Sequence, residues 1–218
     1  MAGGARHGAI VLAGGESSRM GVDKATLDWH GTPLLKHVVA VVSHAVGGGP
    51  VVVAARAGQE LPGLSAGVDV VRDAAPGRGP LQGVHDGLVA VSRHADAAFV
   101  AAVDLPLLKP AFVRAVLRSL GPDDDVAAPF VRGLRQPFAA AYRVRTADAV
   151  AALLDDGEHR AGVLLGRCRT RWLTEAELLR DPELAREDPG LESVTNANTP
   201  EEWEAALERA RGADDGSR

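Results

Sequence analysis

The chain has 218 residues, of which 46% are hydrophobic and 24% charged, and its formal net charge is -5. A hydrophobic fraction of this size excludes a chain that is disordered throughout, and the length suits one α/β unit. The negative net charge excludes the overall basic field by which many proteins hold nucleic acid. We therefore expect any anionic ligand to be held by local cations and backbone N–H groups.

Cysteine content and hydropathy indicate the compartment. Cys168 is the one cysteine of the sequence, so neither an internal disulfide nor a thiolate zinc cage can form. Apolar stretches all fall well short of the roughly 20 residues that span a membrane. These features predict a cytoplasmic protein with no membrane partner and no nucleic-acid partner.

The first third of the chain alternates short apolar runs with helical spacing. The run from Ala9 to Leu12 stops at Gly14 and predicts a buried strand. Pro33 opens a stretch with apolar residues four apart, which predicts a helix with proline in its first turn. Valine-rich runs at 51–53 and 68–71 predict a second and a third buried strand.

The rest of the chain continues this alternation. Thr199, Pro200 and the two acidic residues that follow have the pattern of a helix N-terminus. We expect a single domain over residues 1–211 and a disordered tail over 212–218. The predicted elements after the third strand are a helix at 80–91, a buried strand at 98–103, a helix from 110 to 120, strands at 126–128 and 138–142, a helix at 147–154 and the final helix from 200.

Apolar strands that alternate with helices predict an α/β fold, with a mainly parallel sheet covered by helices on both faces. In such sheets, ligands bind beyond the carboxyl ends of the strands. The residues with chemical potential in this sequence follow predicted strands, so we expect them at that edge.

The segment after the first strand, LAGGESSRMGVDK, has the strongest chemical pattern. Gly14 and Gly15 would let backbone N–H groups approach a phosphate chain. Arg19 can grip phosphate oxygens as a fork, and Lys24 can place a point charge on the same polyphosphate. The alternative is a glycine turn with two solvated cations, which the presence of both cations in one loop disfavours.

Two other phosphate-binding motifs do not fit. A Walker A loop needs four residues between its glycine and Gly-Lys, a spacing that neither Gly14 nor Gly15 provides. A dinucleotide fingerprint needs Gly-x-Gly-x-x-Gly and an acid after the second strand, where this chain has Arg56.

The stretch LAGGESSRMGVDKATLDWHGTPLL resembles the opening signature of the MobA-like nucleotidyltransferases, which include molybdenum cofactor guanylyltransferases. Three later segments fall where that family has them, namely DAAPGRGPLQG at 73–83, DLP at 104–106 and NANTP at 196–200. The resemblance covers nearly the whole chain. It implies a Rossmann-like domain of the nucleotide-diphospho-sugar transferase type.

The same resemblance implies roles for individual residues. Asp104 would bind Mg²⁺ and act in catalysis with Arg19 and Lys24, while Asn196 and Asn198 would lie at the edge of the cleft. The residues expected to contact the nucleotide are Leu12, Ala13, Gly14, Gly15, Lys24, Asp73, Gly79 and Asp104.

The residue types are suited to these roles, although each has a structural alternative. Asp104 follows a buried strand, where a carboxylate can meet Mg²⁺ together with substrate phosphates, or it can simply form a turn before Leu-Pro. Asp73 could accept from a ribose hydroxyl or a base N–H, or cap a turn. Gly79 could let the backbone approach the nucleotide, or bend a loop into the next helix.

The activity implied is transfer of GMP from GTP to the terminal phosphate of molybdopterin cofactor, with release of pyrophosphate. Molybdoenzymes or other cofactor-biosynthesis proteins would be the protein partners. Ala54 stands where the guanylyltransferases often carry asparagine, which leaves base specificity open. The alternatives are a cytidylyltransferase or another transferase with a different acceptor, an NADP-binding oxidoreductase with Arg56 on the 2′-phosphate, and a nucleotide-binding regulator without catalysis.

Overall fold

The core of the fold is a sheet of short strands, and most of these strands coincide with apolar runs of the sequence. The computed structural model describes residues 6–14, 23–73 and 77–215. In these ranges the strands are β1 (His7–Leu12), β2 (Asp28–Trp29), β3 (Thr32–Pro33), β4 (Val51–Ala55), β5 (Val68–Arg72), β6 (Ala97–Ala102), β7 (Val126–Val131), β8 (Leu134–Arg135), β9 (Ala139–Arg143) and β10 (Thr170–Thr174).

The helices alternate with these strands through most of the chain, as the apolar spacing predicts. Their bounds are α1 (Leu34–Val46), α2 (Gly79–Val91), α3 (Pro110–Arg118), α4 (Thr146–Asp155), α5 (Ala161–Arg167), α6 (Glu175–Leu178), α7 (Pro182–Glu187) and α8 (Pro200–Asp215).

The central sheet is mixed but mainly parallel. Its strand order is β10-β7-β9-β6-β1-β4-β5, and β8 pairs with β7 outside this path. β1 is parallel to both β4 and β6, and β4 is parallel to β5, whereas β9 runs antiparallel to β6 and β7. The prediction of a mainly parallel α/β sheet is confirmed. An apolar run carries no mark of strand direction, so the sequence did not predict the reversed strand β9.

The prediction of a buried strand at 68–71 is wrong in its burial. β5 is the last strand of the sheet order, and Val70 remains 42% exposed. An edge strand has a neighbour on one side only, and Asp69 within β5 is also exposed. The run of valines therefore reports β propensity at this position and not complete burial.

Two apolar layers cover the two faces of the sheet. One layer contains side chains of α1, α3 and α8, and the other contains side chains of α2, α4 and α5. Both layers include fully buried residues of β1, since Val11 belongs to the first and Ile10 to the second. This confirms the prediction of helices on both faces.

A small hairpin, formed by β2 and β3, was not predicted. His30 and Gly31 connect its strands with φ values of 50° and 83°, the left-handed conformation that two-residue hairpin turns require. The hairpin places Trp29 in the first layer, 5.4 Å from Trp203 of α8 between ring centroids. The hairpin thereby links the segment after Lys24 to the last helix.

The last helix runs past the boundary predicted between the domain and the tail. α8 continues to Asp215, so the boundary predicted at residue 212 falls inside a helix. Adding a residue to an existing helix costs little, because the unfavourable step is nucleation. In the part of the chain described, no helix has the length and apolar character needed to cross a membrane.

Candidate active site

A cavity of about 230 Å³ opens where β1 and β6 end. It is therefore at the carboxyl edge of the parallel strands, where the fold is expected to bind ligands. The described residues that line it are Leu12, Ala13, Gly14, Lys24, Pro80, Ala102, Val103, Asp104, Phe138 and Asn196.

Lys24 enters the cavity from a single 3-10 turn, Lys24–Thr26, at the end of the glycine-rich segment. Asp23 caps this turn because its Oδ1 accepts a hydrogen bond of 3.0 Å from the backbone N–H of Ala25. The Lys24 ammonium donates to Asp104 Oδ2 at 2.9 Å and to Asn198 Oδ1 at 2.7 Å. The turn thus aims the cation at the residues that follow β6 and precede α8.

Asp104 is held by partners on two separate segments, the Lys24 turn and the stretch before α8. Its Oδ2 accepts from Lys24, and its Oδ1 accepts from Asn196 Nδ2 at 2.9 Å. Its backbone carbonyl accepts from the N–H of Ala197 at 3.0 Å. The side chains of Lys24 and Asp104 are only 15% and 17% exposed, so their charges act in a poorer dielectric than bulk water.

The two asparagines lie beside the ion pair because α8 begins there with a capping box. Glu202 N–H donates to Thr199 Oγ1 at 3.2 Å, while Glu202 Oε2 accepts from the backbone N–H of Thr199 at 3.2 Å and of Asn198 at 2.7 Å. The helix start predicted at Thr199 is thereby confirmed. The hydrogen bond from Asn198 N–H to Glu202 also fixes the backbone of Asn198 beside the site.

The end of β1 packs tightly against β4 at the cavity floor. The backbone N–H groups of Ala13 and Gly14 donate to Ala54 O at 2.8 and 3.3 Å. A Cβ on Gly14 would lie 3.0 Å from Arg56 Cγ and 3.2 Å from Arg56 N, so glycine permits this approach. The Gly14 amide, one of the two that the sequence predicts to approach a phosphate chain, is thus engaged with β4.

Asp73 and Gly79 are not among the residues that line the cavity. Asp73 follows β5 and its backbone N–H donates to Ala55 O at 3.0 Å. Burial, together with the negative charge of Asp86, raises the pKa of the Asp73 carboxyl above its usual value. Gly79 begins α2 with a φ of 64°, a conformation that favours glycine, and it precedes Pro80 of the lining.

Two further predicted site residues, Arg19 and Gly15, lie outside the described residues. Pro80, Val103 and Phe138, which give the cavity an apolar wall, were not predicted as site residues. Apolar side chains next to strand ends have no chemical signature that separates them from ordinary core residues. Asp23 was also missed, although an Asp directly before a short turn is a known capping signal.

The residues present suit a divalent cation bound together with substrate phosphates. Asp104 is the carboxylate in the described lining, and the described residues contain no group of three or more His, Cys, Asp or Glu side chains that could hold a metal alone. Mg²⁺ in phosphate-transfer sites is commonly held by one or two carboxylates, with water and phosphate oxygens as the remaining ligands. Asp104 fits that kind of site.

The fold and the charged cavity define an α/β protein of the nucleotidyltransferase type, and comparisons with solved structures agree on the fold. Molybdopterin-guanine dinucleotide biosynthesis protein A from Archaeoglobus fulgidus superposes with a TM-score of 0.73, covering 94% of this chain and 99% of that chain at 22% identity. The 2-C-methyl-D-erythritol 4-phosphate cytidylyltransferase from Thermus thermophilus superposes with a TM-score of 0.66, covering 93% and 98% at 19% identity.

Sequence comparison is more specific. The profile of the MobA-like NTP transferase domain matches residues 9–171, and the chain belongs to this family. A relative from Mycobacterium tuberculosis H37Rv, named "Probable molybdenum cofactor guanylyltransferase", is 41% identical over 160 residues. That alignment covers 72% of this chain and 77% of the relative.

Proposed function

We propose that this protein transfers GMP from GTP to the terminal phosphate of molybdopterin cofactor and releases pyrophosphate. The observation that carries the proposal is the contact of Lys24 with Asp104 and Asn198 in a cavity at the carboxyl edge of the sheet. Membership of the MobA-like family and the name of the mycobacterial relative support the choice of substrates.

In the proposed reaction, an oxygen of the acceptor phosphate bonds to the α-phosphorus of GTP. The bond from that phosphorus to the oxygen bridging to the β-phosphate breaks, and its electron pair leaves with pyrophosphate. The acceptor phosphate is already anionic, so the step requires no general base. The obstacles are repulsion between two polyanions and the charge that develops on pyrophosphate, which positioning and fixed positive charge can overcome.

The charged and amide side chains in and around the cavity each have a defined part in this proposal. Lys24 neutralises the triphosphate, with Arg19 as the second cation that the sequence predicts. Asp104 would hold a divalent cation, taken here as Mg²⁺, which would supply positive charge to the substrate phosphates. Asn196 and Asn198 keep the Asp104 carboxylate and the Lys24 ammonium in place, at 2.9 and 2.7 Å respectively.

We place the reaction in the cytoplasm, and the finished cofactor would pass to molybdoenzymes or to other cofactor-biosynthesis proteins. Cys168, the lone thiol of the chain, is partly buried, and burial raises its pKa to about 11. A protonated thiol of this kind suits a reducing compartment and a structural role.

The deciding experiment supplies purified protein with Mg²⁺, molybdopterin cofactor and one of the four nucleoside triphosphates, and measures pyrophosphate release. We expect release with GTP and far less with the other three. Release with CTP alone would establish the cytidylyltransferase alternative, for which Ala54 leaves room. Binding of GTP without release in the presence of this acceptor would contradict the proposal and leave the regulator and a transferase with a different acceptor as the alternatives.

The oxidoreductase alternative needs a separate measurement, the change of NADPH fluorescence on titration with protein. We expect no change. Arg56, the residue that would read a 2′-phosphate, lies 3.3 Å from Asp23 Oδ2 through its Nη2 atom. Enhanced fluorescence at micromolar NADPH would contradict the proposed function.

A further inference from the structure

Gln59 is a buried polar residue with no place in the mechanism above, and it joins the two ends of the glycine-rich segment. Its side-chain Nε2 donates to Ala13 O at 3.0 Å and to Asp23 Oδ2 at 2.8 Å. Ala13 follows β1, whereas Asp23 caps the turn that carries Lys24. One amide group therefore contacts the segment both where it leaves the sheet and where it delivers its lysine.

The Gln59 side chain is itself held firmly. Its Oε1 accepts from the backbone N–H of Arg56 at 3.0 Å, and the residue is only 7% exposed. The Gln59 backbone N–H donates to Arg56 O at 3.2 Å, which closes a tight turn with Gly58 at a φ of 71°. Arg72 Nη1 donates to the carbonyls of Arg56 and Gln59, at 3.2 and 2.9 Å.

We propose that Gln59 is a positioning residue for triphosphate binding, which sets the Lys24 turn at a fixed distance from the end of β1 before the nucleotide arrives. This inference rests on the proposed function for its ligand. Gln59 does not line the cavity, so its effect passes through Ala13 and Asp23. The Nε2 of Gln59 bonds to the two ends of the glycine-rich segment, and its Oε1 bonds to the backbone of Arg56, in the turn that carries Gln59.

A side chain with this role raises the fraction of free protein in which the Lys24 turn is already in place to bind GTP. If the Lys24 turn departs from its place in the free protein, the apparent affinity for GTP falls in proportion to the competent fraction. Once GTP is bound, the contacts of Lys24 re-form and turnover continues. Loss of Gln59 should therefore raise KM for GTP, whereas loss of Lys24 itself should lower kcat.

The test uses Gln59→Glu, which places a carboxylate oxygen where the amide now donates to two acceptors. We expect KM for GTP to rise by about tenfold or more, the scale of losing one hydrogen bond to a charged group, with kcat within about threefold of wild type. Gln59→Met, of similar length, removes the hydrogen bonds without adding charge and should give a smaller rise. Glu60→Gln, at the exposed next position, is the matched control and should leave KM unchanged.

A rescue separates positioning from general destabilisation. The double variant Asp23→Asn with Gln59→Glu exchanges the donor and the acceptor of one bond, so the new amide at position 23 can donate to the new carboxylate at position 59, while the Ala13 bond stays lost. We expect the double variant to recover part of the KM that Gln59→Glu loses. A purely structural role would lower the amount of active enzyme and the melting temperature while KM stays at the wild-type value, and that result would overturn the proposal.

Hydrogen exchange in the protein without nucleotide makes the test independent of the proposed activity. The backbone N–H of Ala25 donates to Asp23 Oδ1, and that of Thr26 donates to Asp23 O at 3.0 Å. We expect these two amides to exchange at least about tenfold faster in Gln59→Glu, as expected for a contact worth one charged hydrogen bond. Unchanged exchange there would refute the role of Gln59, whereas faster exchange in a protein that uses no triphosphate would refute the proposed function alone.

Discussion

At the scale of single residues, Lys24 is the residue whose place in the cavity most directly indicates its chemical role. It lies in the cavity lining, and its ammonium bonds to two residues that are 80 and 174 positions away in the chain. A poorly exposed ammonium with these contacts is placed for an anionic ligand, because the surrounding protein weakens the screening of its charge.

We expect Lys24→Ala to lower GTP-dependent turnover by about 100-fold or more, the scale of removing one aimed electrostatic donor. The melting temperature should fall much less than turnover, since the lysine is not part of either apolar layer and its loss removes the ion pair with Asp104. Steady-state pyrophosphate release and a thermal melt check both halves of this prediction. Turnover at the wild-type rate would show that the glycine-rich segment does not hold the triphosphate.

Asp104 should control the metal requirement. In Asp104→Asn the asparagine keeps the size of the side chain and can accept one of the two hydrogen bonds from Lys24 and Asn196, but it lacks the charge that a divalent cation needs. We expect transfer to fall by about 100-fold or more, consistent with loss of a metal that stabilises transition-state charge. A Mg²⁺ titration of residual activity measures this, and wild-type Mg²⁺ stimulation in the variant would exclude Asp104 as the ligand.

His37 gives a prediction for stability against pH. Burial, more than the nearby charges of Lys109 and His30, lowers its pKa below 6.5, even though its ring nitrogen bonds to Pro106 O at 2.9 Å. The unfolded chain therefore takes up a proton at a pH where the folded protein does not. The stabilising contribution of the neutral ring is present above pH 6.5 and is lost as the pH falls below that value.

The free energy of unfolding, measured in urea at intervals between about pH 7.5 and pH 5, should accordingly decrease toward acid. His37→Gln can still donate to Pro106 O and does not titrate, so its decrease should be smaller. The pKa of His7 is also lowered by burial, which leaves a residual slope in the variant. An identical slope in both proteins would rule out His37 as a source of the pH dependence.

At the scale of elements, α2 has an unusually close approach to the sheet. A Cβ on Gly87 would lie 2.5 Å from Ile10 Cγ2, and one on Gly83 would lie 3.1 Å from Leu12 Cδ2 and 3.3 Å from the Ala54 Cβ. Ala54 and Gly83 therefore pack directly against each other, and both must be small. An asparagine at 54 would need more room at this contact.

We expect Gly87→Ala to destabilise the protein by about 1–3 kcal/mol, because the added methyl overpacks α2 against β1. Gly166→Ala in α5 is the control, since no heavy atom lies within 4 Å of the new Cβ. That substitution should stabilise the protein by up to about 1 kcal/mol, the helix preference of alanine over glycine. Chemical unfolding of both variants gives the comparison, and equal effects would contradict the close packing of α2.

At the scale of the whole molecule, the last helix completes both the core and the site. Trp203 is 8% exposed within the first apolar layer, and Arg209 bonds to Glu192 Oε2 at 2.9 Å. The Asn196–Asn198 segment, which contacts Lys24 and Asp104, ends at the capping box of this helix. Folding of the C-terminal region and assembly of the cavity are therefore coupled.

A truncation series should separate the tail from the domain. The chain ending at residue 211 should keep the melting temperature and GTP affinity of the full protein. The chain ending at residue 199 should lose more than about 3 kcal/mol of stability, the scale of deleting one buried tryptophan, and with it GTP binding. Thermal melts and a fluorescent GTP analogue provide the measurements. Loss of binding in the longer of the two truncated chains would place functional residues in the tail.

The sequence by itself determined the alternation of strands and helices and the position of Asp104 directly after a buried strand. This was possible because the length and the periodicity of apolar runs, such as that from Ala9 to Leu12, are local features of the sequence that predict strands and helices. The capping pattern at Thr199 is likewise local. The roles assigned to Arg19 and Gly15, by contrast, stay predictions of the sequence.

Only the tertiary structure decided which of these segments meet. The reversed direction of β9, the exposure of β5 and the contact of Lys24 with Asn198 depend on how every element packs against the others. Gln59 gave no signal in the sequence, because a lone glutamine in a turn has no periodicity and no motif. Its importance arises from two acceptors, on Ala13 and Asp23, that the fold brings within reach of one amide group.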